Sequence, residues 1–155
     1  IVAELSAAPW PVGRAAELDD HPSMIWLNAQ PADVVIVELP ITGDVSSAVT
    51  QEIEGRRLLL SAMHLRRRVN GGISPYIPAT YGDRVEVVNG LGVNPQALAY
   101  LRDWDVDYVL FEPTDQLRYA ERMRSPAQVE SDLDALDGLE RVETFDDAIV
   151  YRVRR

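Results

Sequence analysis

The densest apolar stretch, Val34-Val35-Ile36-Val37-Glu38-Leu39, is a nearly continuous β-branched run, the pattern of a strand buried on both faces. Pro40 ends its pairing capacity. Ahead of it, the spacing predicts a helix starting near Pro22, capped around Asp20 or His21, with Met24, Trp26 and Leu27 turned inward and an end before Pro31. Behind it, Ile41-Thr42-Gly43-Asp44 reads as a turn. Residues 46–63 then read as a helix in which Gly55 is the weak point and Leu58, Leu59, Ala62 and Met63 form the buried stripe. From His64 to Val69 the period switches to two, so that His64, Arg66 and Arg68 share one face and Leu65, Arg67 and Val69 the other.

Pro78 opens a further helix toward Asn89, and Asn94-Pro95 supplies a cap and a first helical residue for a segment with Ala97, Leu98 and Leu101 at helical spacing. Val106 to Phe111 is the second clear strand. Helical stretches follow at residues 115–123 and 126–136, and two strands at 139–145 and 148–153 close the chain through a tight Asp146-Asp147 connection. Strands separated by helices, then a hairpin, predict an α/β fold, a three-layer sandwich with a mostly parallel central sheet and a C-terminal antiparallel hairpin. Residues 1–20, with a short apolar run at Ile1 to Leu5 and an extended Pro9-Trp10-Pro11, read as a linker or edge segment, and residues 21–155 as a single α/β domain.

At 155 residues the chain is long enough to bury about 70% of the surface its unfolded form exposes, and it needs no disulfide or metal to fold. No apolar run reaches the roughly 20 residues of a bilayer span. The chain starts at Ile1 without a signal-type segment and therefore reads as a piece of something longer. A net charge of -10 argues against nucleic acid and against broad binding to anionic membranes. All 15 basic residues are arginine, which fits a bias in base composition. The lack of cysteine removes thiolate chemistry and Cys-ligated zinc.

Familiar catalytic signatures are absent. Gly90-Leu91-Gly92-Val93-Asn94-Pro95 begins like a dinucleotide loop but places Pro95 where the third glycine belongs, and no cofactor is expected. Asp103, Asp105 and Asp107 alternate as oxygen ligands for a cation would, yet they sit between a helix and a strand, where solvated loop carboxylates are the simpler reading. Only His21 and His64 are available as imidazoles, too few for a zinc hydrolase.

The segment His64 to Tyr81 concentrates cations, amides, glycines and aromatics. The His64, Arg66 and Arg68 face suits phosphate oxygens or sugar hydroxyls, the backbone around Asn70 and Gly71 can converge on an anion, and Tyr76 and Tyr81 offer rings for stacking on a sugar. The alternative is that edge arginines only prevent aggregation and that Asn-Gly is only a turn.

An ordered series of segments runs through most of the chain. It comprises Met24 to Gln30, Val37-Glu38-Leu39-Pro40, Arg56, Leu60 to His64, Arg67 to Gly71, Pro78, Tyr81, Ala97-Leu98 with Leu101, Val106 to Val109 and Asp146 to Val150. This series resembles the soluble C-terminal domain of bacterial polytopic membrane glycosyltransferases of the GT-C type. Gly72, Ser74-Pro75 and Trp104-Asp105 depart from the pattern. The resemblance implies an extracytoplasmic accessory or substrate-recognition domain at the bacterial plasma membrane, not catalytic alone, in a parent using a polyprenyl-phosphate sugar donor. The implied partners are the membrane-embedded part of the same polypeptide and a glycan or lipid-phosphate sugar. A docking scaffold and a free-standing enzyme acting on a sugar or phosphate remain as alternatives.

Overall fold

The computed structural model describes residues 21–42, 47–69, 81–119 and 124–155. Within them the elements run α1 (Pro22–Asn28), β1 (Val35–Leu39), α2 (Ala48–His64), β2 (Arg67–Arg68), α3 (Tyr81–Asn89), α4 (Pro95–Asp103), β3 (Tyr108–Phe111), α5 (Pro113–Tyr119), α6 (Pro126–Ala135), β4 (Leu139–Thr144) and β5 (Ile149–Val153). Five strands form one sheet in the order β2-β1-β3-β5-β4. β1 is parallel to β2 and to β3, whereas β5 and β4 are antiparallel additions. The expected α/β class, with its closing antiparallel hairpin, is the observed one.

Strand alternation sorts the core into two layers. Val35, Val37 and Leu39 of β1 join Val109, Phe111, Ile149, Tyr151 and Val153 against α3, α4 and α6, through Val85, Val88, Ala97, Leu98, Leu101, Val129 and Leu133. On the opposite face Val34, Ile36, Tyr108, Leu110 and Val150 pack against Met24 and Leu27 of α1 and Leu60 of α2. Trp26 meets Tyr108 edge to face at 5.1 Å, which fixes α1 over the sheet. The sheet is therefore covered on both sides, as parallel strands require.

Local chemistry sets the helix starts. Asn94 accepts from the Gln96 backbone N–H at 2.9 Å with Pro95 at the first helical position, and Ser125 with Gln128 makes a reciprocal capping box ahead of Pro126. α2 passes through Gly55 without interruption and runs to His64, where Leu65 takes a left-handed conformation with φ of 54° and stops it. The extended period therefore begins after His64, and the strand there is only two residues long.

The stripe expected on α2 is turned around. Leu58 and Leu59 are 60% and 62% exposed, whereas Thr50, Ile53, Glu54, Arg57, Leu60 and His64 are buried against the sheet. These six positions recur at three- and four-residue intervals, so one helix face is involved. The reason lies in β1 and the end of β3: alternation aims Glu38 at α2, and Glu112 emerges beside it, so α2 meets the sheet with ionic partners and leaves leucines outside.

The connections leave β1 and β3 in opposite directions. β1 is followed by α2 and then β2 on one side, while β3 is followed by α5, α6 and β4 on the other. The carboxyl ends of these neighbouring strands thus flank a topological switch point.

Candidate functional site

Below the switch point lies a buried ionic lattice. Glu38 of β1 pairs with Arg68 of β2, and Arg68 reaches Glu54 of α2 at 3.3 Å. Arg57, with no exposed surface, donates Nε to Glu112 Oε1 at 2.9 Å and Nη1 to the Pro40 carbonyl at 2.8 Å and Glu54 Oε1 at 3.3 Å. Its Nη2 stands 3.3 Å from Asp115 Oδ2. Arg56 Nη2 bridges Glu112 and Asp115, and Thr42 donates to Glu54 at 2.8 Å. Two strands, two helices and the residue between β3 and α5 are joined through these side chains.

Charge in the lattice is unevenly matched, with Arg56, Arg57 and Arg68 facing Glu38, Glu54, Glu112 and Asp115. Burial pushes the Glu38 carboxyl up to about 7, against the pull of Arg57 and Arg68. Burial and the adjacent Glu112 charge raise Asp115 to about 6. Burial opposes ionisation of Glu112 too, but Arg57 and Arg56 outweigh it and hold that carboxyl below its ordinary range.

Above the lattice opens a cleft of about 450 Å³ at the carboxyl end of β3. One wall comes from α2 and α5 and the residue before α5, with Arg56, Glu112, Thr114, Asp115 and Arg118. The other comes from the start of α1 and the β4–β5 turn, with His21, Pro22, Asp146 and Asp147. Arg56 and Arg118 keep 32% and 40% of their side chains exposed, and Arg118 Nη2 pairs with Glu52 of α2. Across the cleft, Asp147 Oδ2 accepts from the Ser23 hydroxyl and lies 3.3 Å from His21 Nδ1. These three residue types do not form a nucleophilic relay, because the buried Ser23 donates to the carboxylate and not to the imidazole. The trio instead ties α1 to the hairpin.

The residues singled out from the sequence fall close by. His64 is fully buried, accepts the Arg66 backbone N–H on Nδ1 at 2.9 Å, and has no partner for Nε2 among the described residues. Burial, then the charges of Arg68 and Arg66, lower its pKa to about 4. Arg66 covers the end of α1, donating to the carbonyls of Leu27 at 3.2 Å, Asn28 at 2.8 Å and Gln30 at 2.6 Å. Arg68 belongs to the lattice. The three do not form one strand face, since His64 ends α2, while both guanidiniums are engaged by protein acceptors, Arg66 at the end of α1 and Arg68 in the lattice. Asn70, Gly71 and Tyr76 lie outside the described residues, as does the side chain of Tyr81.

Other sequence candidates resolve into structure. Gly90 to Val93 joins helix to helix, and Gly92, with φ of 91°, faces Asp132 so closely that a Cβ would stand 2.7 Å from the Asp132 Cβ. Asp107 accepts the Val35 backbone N–H at 3.0 Å and meets Arg155 at 3.2 Å. Among the described residues no group of three or more His, Asp or Glu is placed to hold a metal ion. No described helix is long and apolar enough to cross a membrane. Sequence reading did not single out Glu54, Arg57, Glu112 or Asp115. The available signal was Glu38, a lone charge inside a strand buried on both faces, which demands a cationic partner.

No known protein family matches the chain, and no curated protein matches it. Among solved structures, the chain is similar to the C-terminal globular domain of an oligosaccharyltransferase from Archaeoglobus fulgidus. The two share 10% sequence identity with a TM-score of 0.48 over 85% of this chain and 94% of that chain.

Proposed function

We propose that this chain is an accessory domain of a larger membrane glycosyltransferase, non-catalytic by itself. In this reading it sits on the extracytoplasmic face of a bacterial plasma membrane and packs against the membrane-embedded part of the same polypeptide. There it helps present a glycan or polyprenyl-phosphate-linked sugar.

The observation that carries the proposal is the reversed amphipathicity of α2. A helix whose inner face is built of Glu54, Arg57 and His64 gains little from the outward exposure of Leu58 and Leu59, since apolar surface left in water forgoes roughly 25 cal/mol per Å². Such a face suits a domain that meets another part of its own protein. The ionic groups behind it are committed to one another, so the lattice supplies rigidity and not a free base or nucleophile.

The ordered segments that resemble GT-C C-terminal domains also fall on the elements that build this arrangement. Arg56 and Leu60 to His64 lie on α2, Val37 to Leu39 in β1, Tyr108 and Val109 in β3, and Asp146 and Asp147 at the cleft. Reading the gene on the 5′ side of the Ile1 codon tests the proposal. Several apolar spans of about 20 codons each are expected there. A start codon with no such span between it and the Ile1 codon rejects it.

A further inference from the structure

The cleft at the β1/β3 switch point has the position at which open α/β sheets take ligands, and its size lies within the range of about 300–1,000 Å³ for small-molecule sites. What it accepts is legible from its walls. The α2/α5 wall carries the Thr114 hydroxyl and the guanidiniums of Arg56 and Arg118, each with one Nη2 already on carboxylates, Glu112 and Asp115 for Arg56 and Glu52 for Arg118, and the other N–H groups left as donors. The α1/hairpin wall exposes the carboxylate of Asp146 beside Asp147, whose charge is shared with His21 and Ser23. Both guanidiniums, with Glu112 and Asp115 beside them, thus stand on one side, and Asp146 and Asp147 on the other.

The lining excludes several ligand classes. Among the described residues Pro22 is the only apolar side chain lining it and no Phe, Tyr or Trp does, so these walls offer no platform for an acyl chain or a stacked sugar ring. A simple anion meets four carboxylates for two arginines in a chain of net charge -10. A simple amine engages only the Asp146/Asp147 wall and makes no use of the remaining N–H groups of Arg56 and Arg118.

We propose that this cleft binds a small zwitterionic group, its ammonium on the Asp146/Asp147 wall and its carboxylate or other oxyanion on the Arg56/Arg118 wall. Arg56 is held for this by Glu112 and Asp115, which anchor one Nη2 and fix the plane of the fork. The lattice beneath therefore orients the receiving wall. This inference does not depend on the glycosyltransferase reading, because it rests on the cleft alone.

The test is a titration of the full ¹⁵N-labelled chain with an ω-amino acid series from glycine through 6-aminohexanoate, alongside butylamine, butyrate and glucose. Saturable shifts centred on Thr114, Asp115 and Asp147 are expected for at least one zwitterion, with butylamine and butyrate each binding about fivefold or more weaker. Arg118→Gln and Asp146→Asn, both at exposed positions, are each expected to weaken the zwitterion by a similar factor while leaving the thermal midpoint unchanged. Butylamine binding as well as the zwitterion and indifferent to Arg118→Gln would reduce the cleft to an acidic patch and overturn the proposal. Preferential saturation by glucose, or no saturable shift with any member of the series, would overturn it as well.

Discussion

Arg57 and Glu112 face each other across the boundary between α2 and the end of β3, Nε to Oε1 at 2.9 Å, with the guanidinium wholly shielded from solvent. An ion pair this deep contributes less than its Coulomb attraction suggests, because both charges have lost their hydration. Removal of one partner is a different matter. Arg57→Met leaves Glu112, Glu54 and the Pro40 carbonyl without their shared donor, and a loss on the order of 3–5 kcal/mol is expected in urea unfolding. The double variant Arg57→Met with Glu112→Gln is expected to recover part of it, since the stranded charge goes too. An additive double variant would show that the two side chains are not coupled.

Glu38 gives the lattice a pH dependence. Its folded pKa near 7 lies above the ordinary 4.5, so the fold binds the proton more tightly than the unfolded chain. The corresponding stability is complete below the unfolded value and disappears as pH rises through the folded one. Asp115, raised to about 6, acts with the same sign, and Glu112, held below its ordinary range, acts with the opposite sign at lower pH. Between about pH 5 and about pH 8, Glu38→Gln is expected to remove a stability decline on the order of 2 kcal/mol. Urea titrations of both proteins across that window measure it, and parallel slopes would show Glu38 ionised throughout.

His64 works in the other direction. A folded pKa near 4 against an ordinary 6.5 means that the unfolded chain takes up a proton the fold refuses, so this contribution is lost as pH falls from about 6.5 towards 4. Asn at this position keeps an acceptor for the Arg66 N–H and does not titrate. His64→Asn is expected to lower stability near neutrality through lost packing while flattening its fall on acidification. The readout is the difference in slope between the two proteins, because Glu38 and Asp115 titrate in the same window in both. An unchanged slope would mean that the imidazole takes up its proton in the fold as readily as in the unfolded chain.

Most of the fold was legible because the signals were local. The β-branched run around Ile36, the Asn94-Pro95 start and the Asp146-Asp147 connection each depend on residues adjacent in sequence, and each appears where the pattern puts it. The orientation of α2 was not legible from the helix alone. Pattern reading turns Leu58 and Leu59 inward, and they face outward because Glu38 and Glu112, 16 and 58 positions from Glu54, present charge to the helix instead. A conflict between local pattern and tertiary placement of this kind is where function or strain is concentrated. The basic segment at 64–68 was legible as a cluster but not as to its use. The acceptors for Arg66 are backbone carbonyls at the end of α1, which carry no side-chain signature.

The outward leucines allow packing and docking to be separated experimentally. Leu60, 1% exposed and set among Met24, Leu27 and Ile36, is a core residue whose truncation to Ala is expected to cost about 2–5 kcal/mol in the isolated chain. Leu58 and Leu59 are its neighbours in sequence but stand in water, so Leu58→Glu with Leu59→Glu is expected to change that stability by no more than about 0.5 kcal/mol per site. In the intact parent protein the ranking should reverse in kind. A charged α2 face would lose its apolar partner, and glycosyl transfer or recovery of assembled protein should fall severalfold while the separate domain still folds. Full activity of the doubly charged parent would remove α2 as the contact surface, and collapse of the isolated domain would show that these leucines are covered within it.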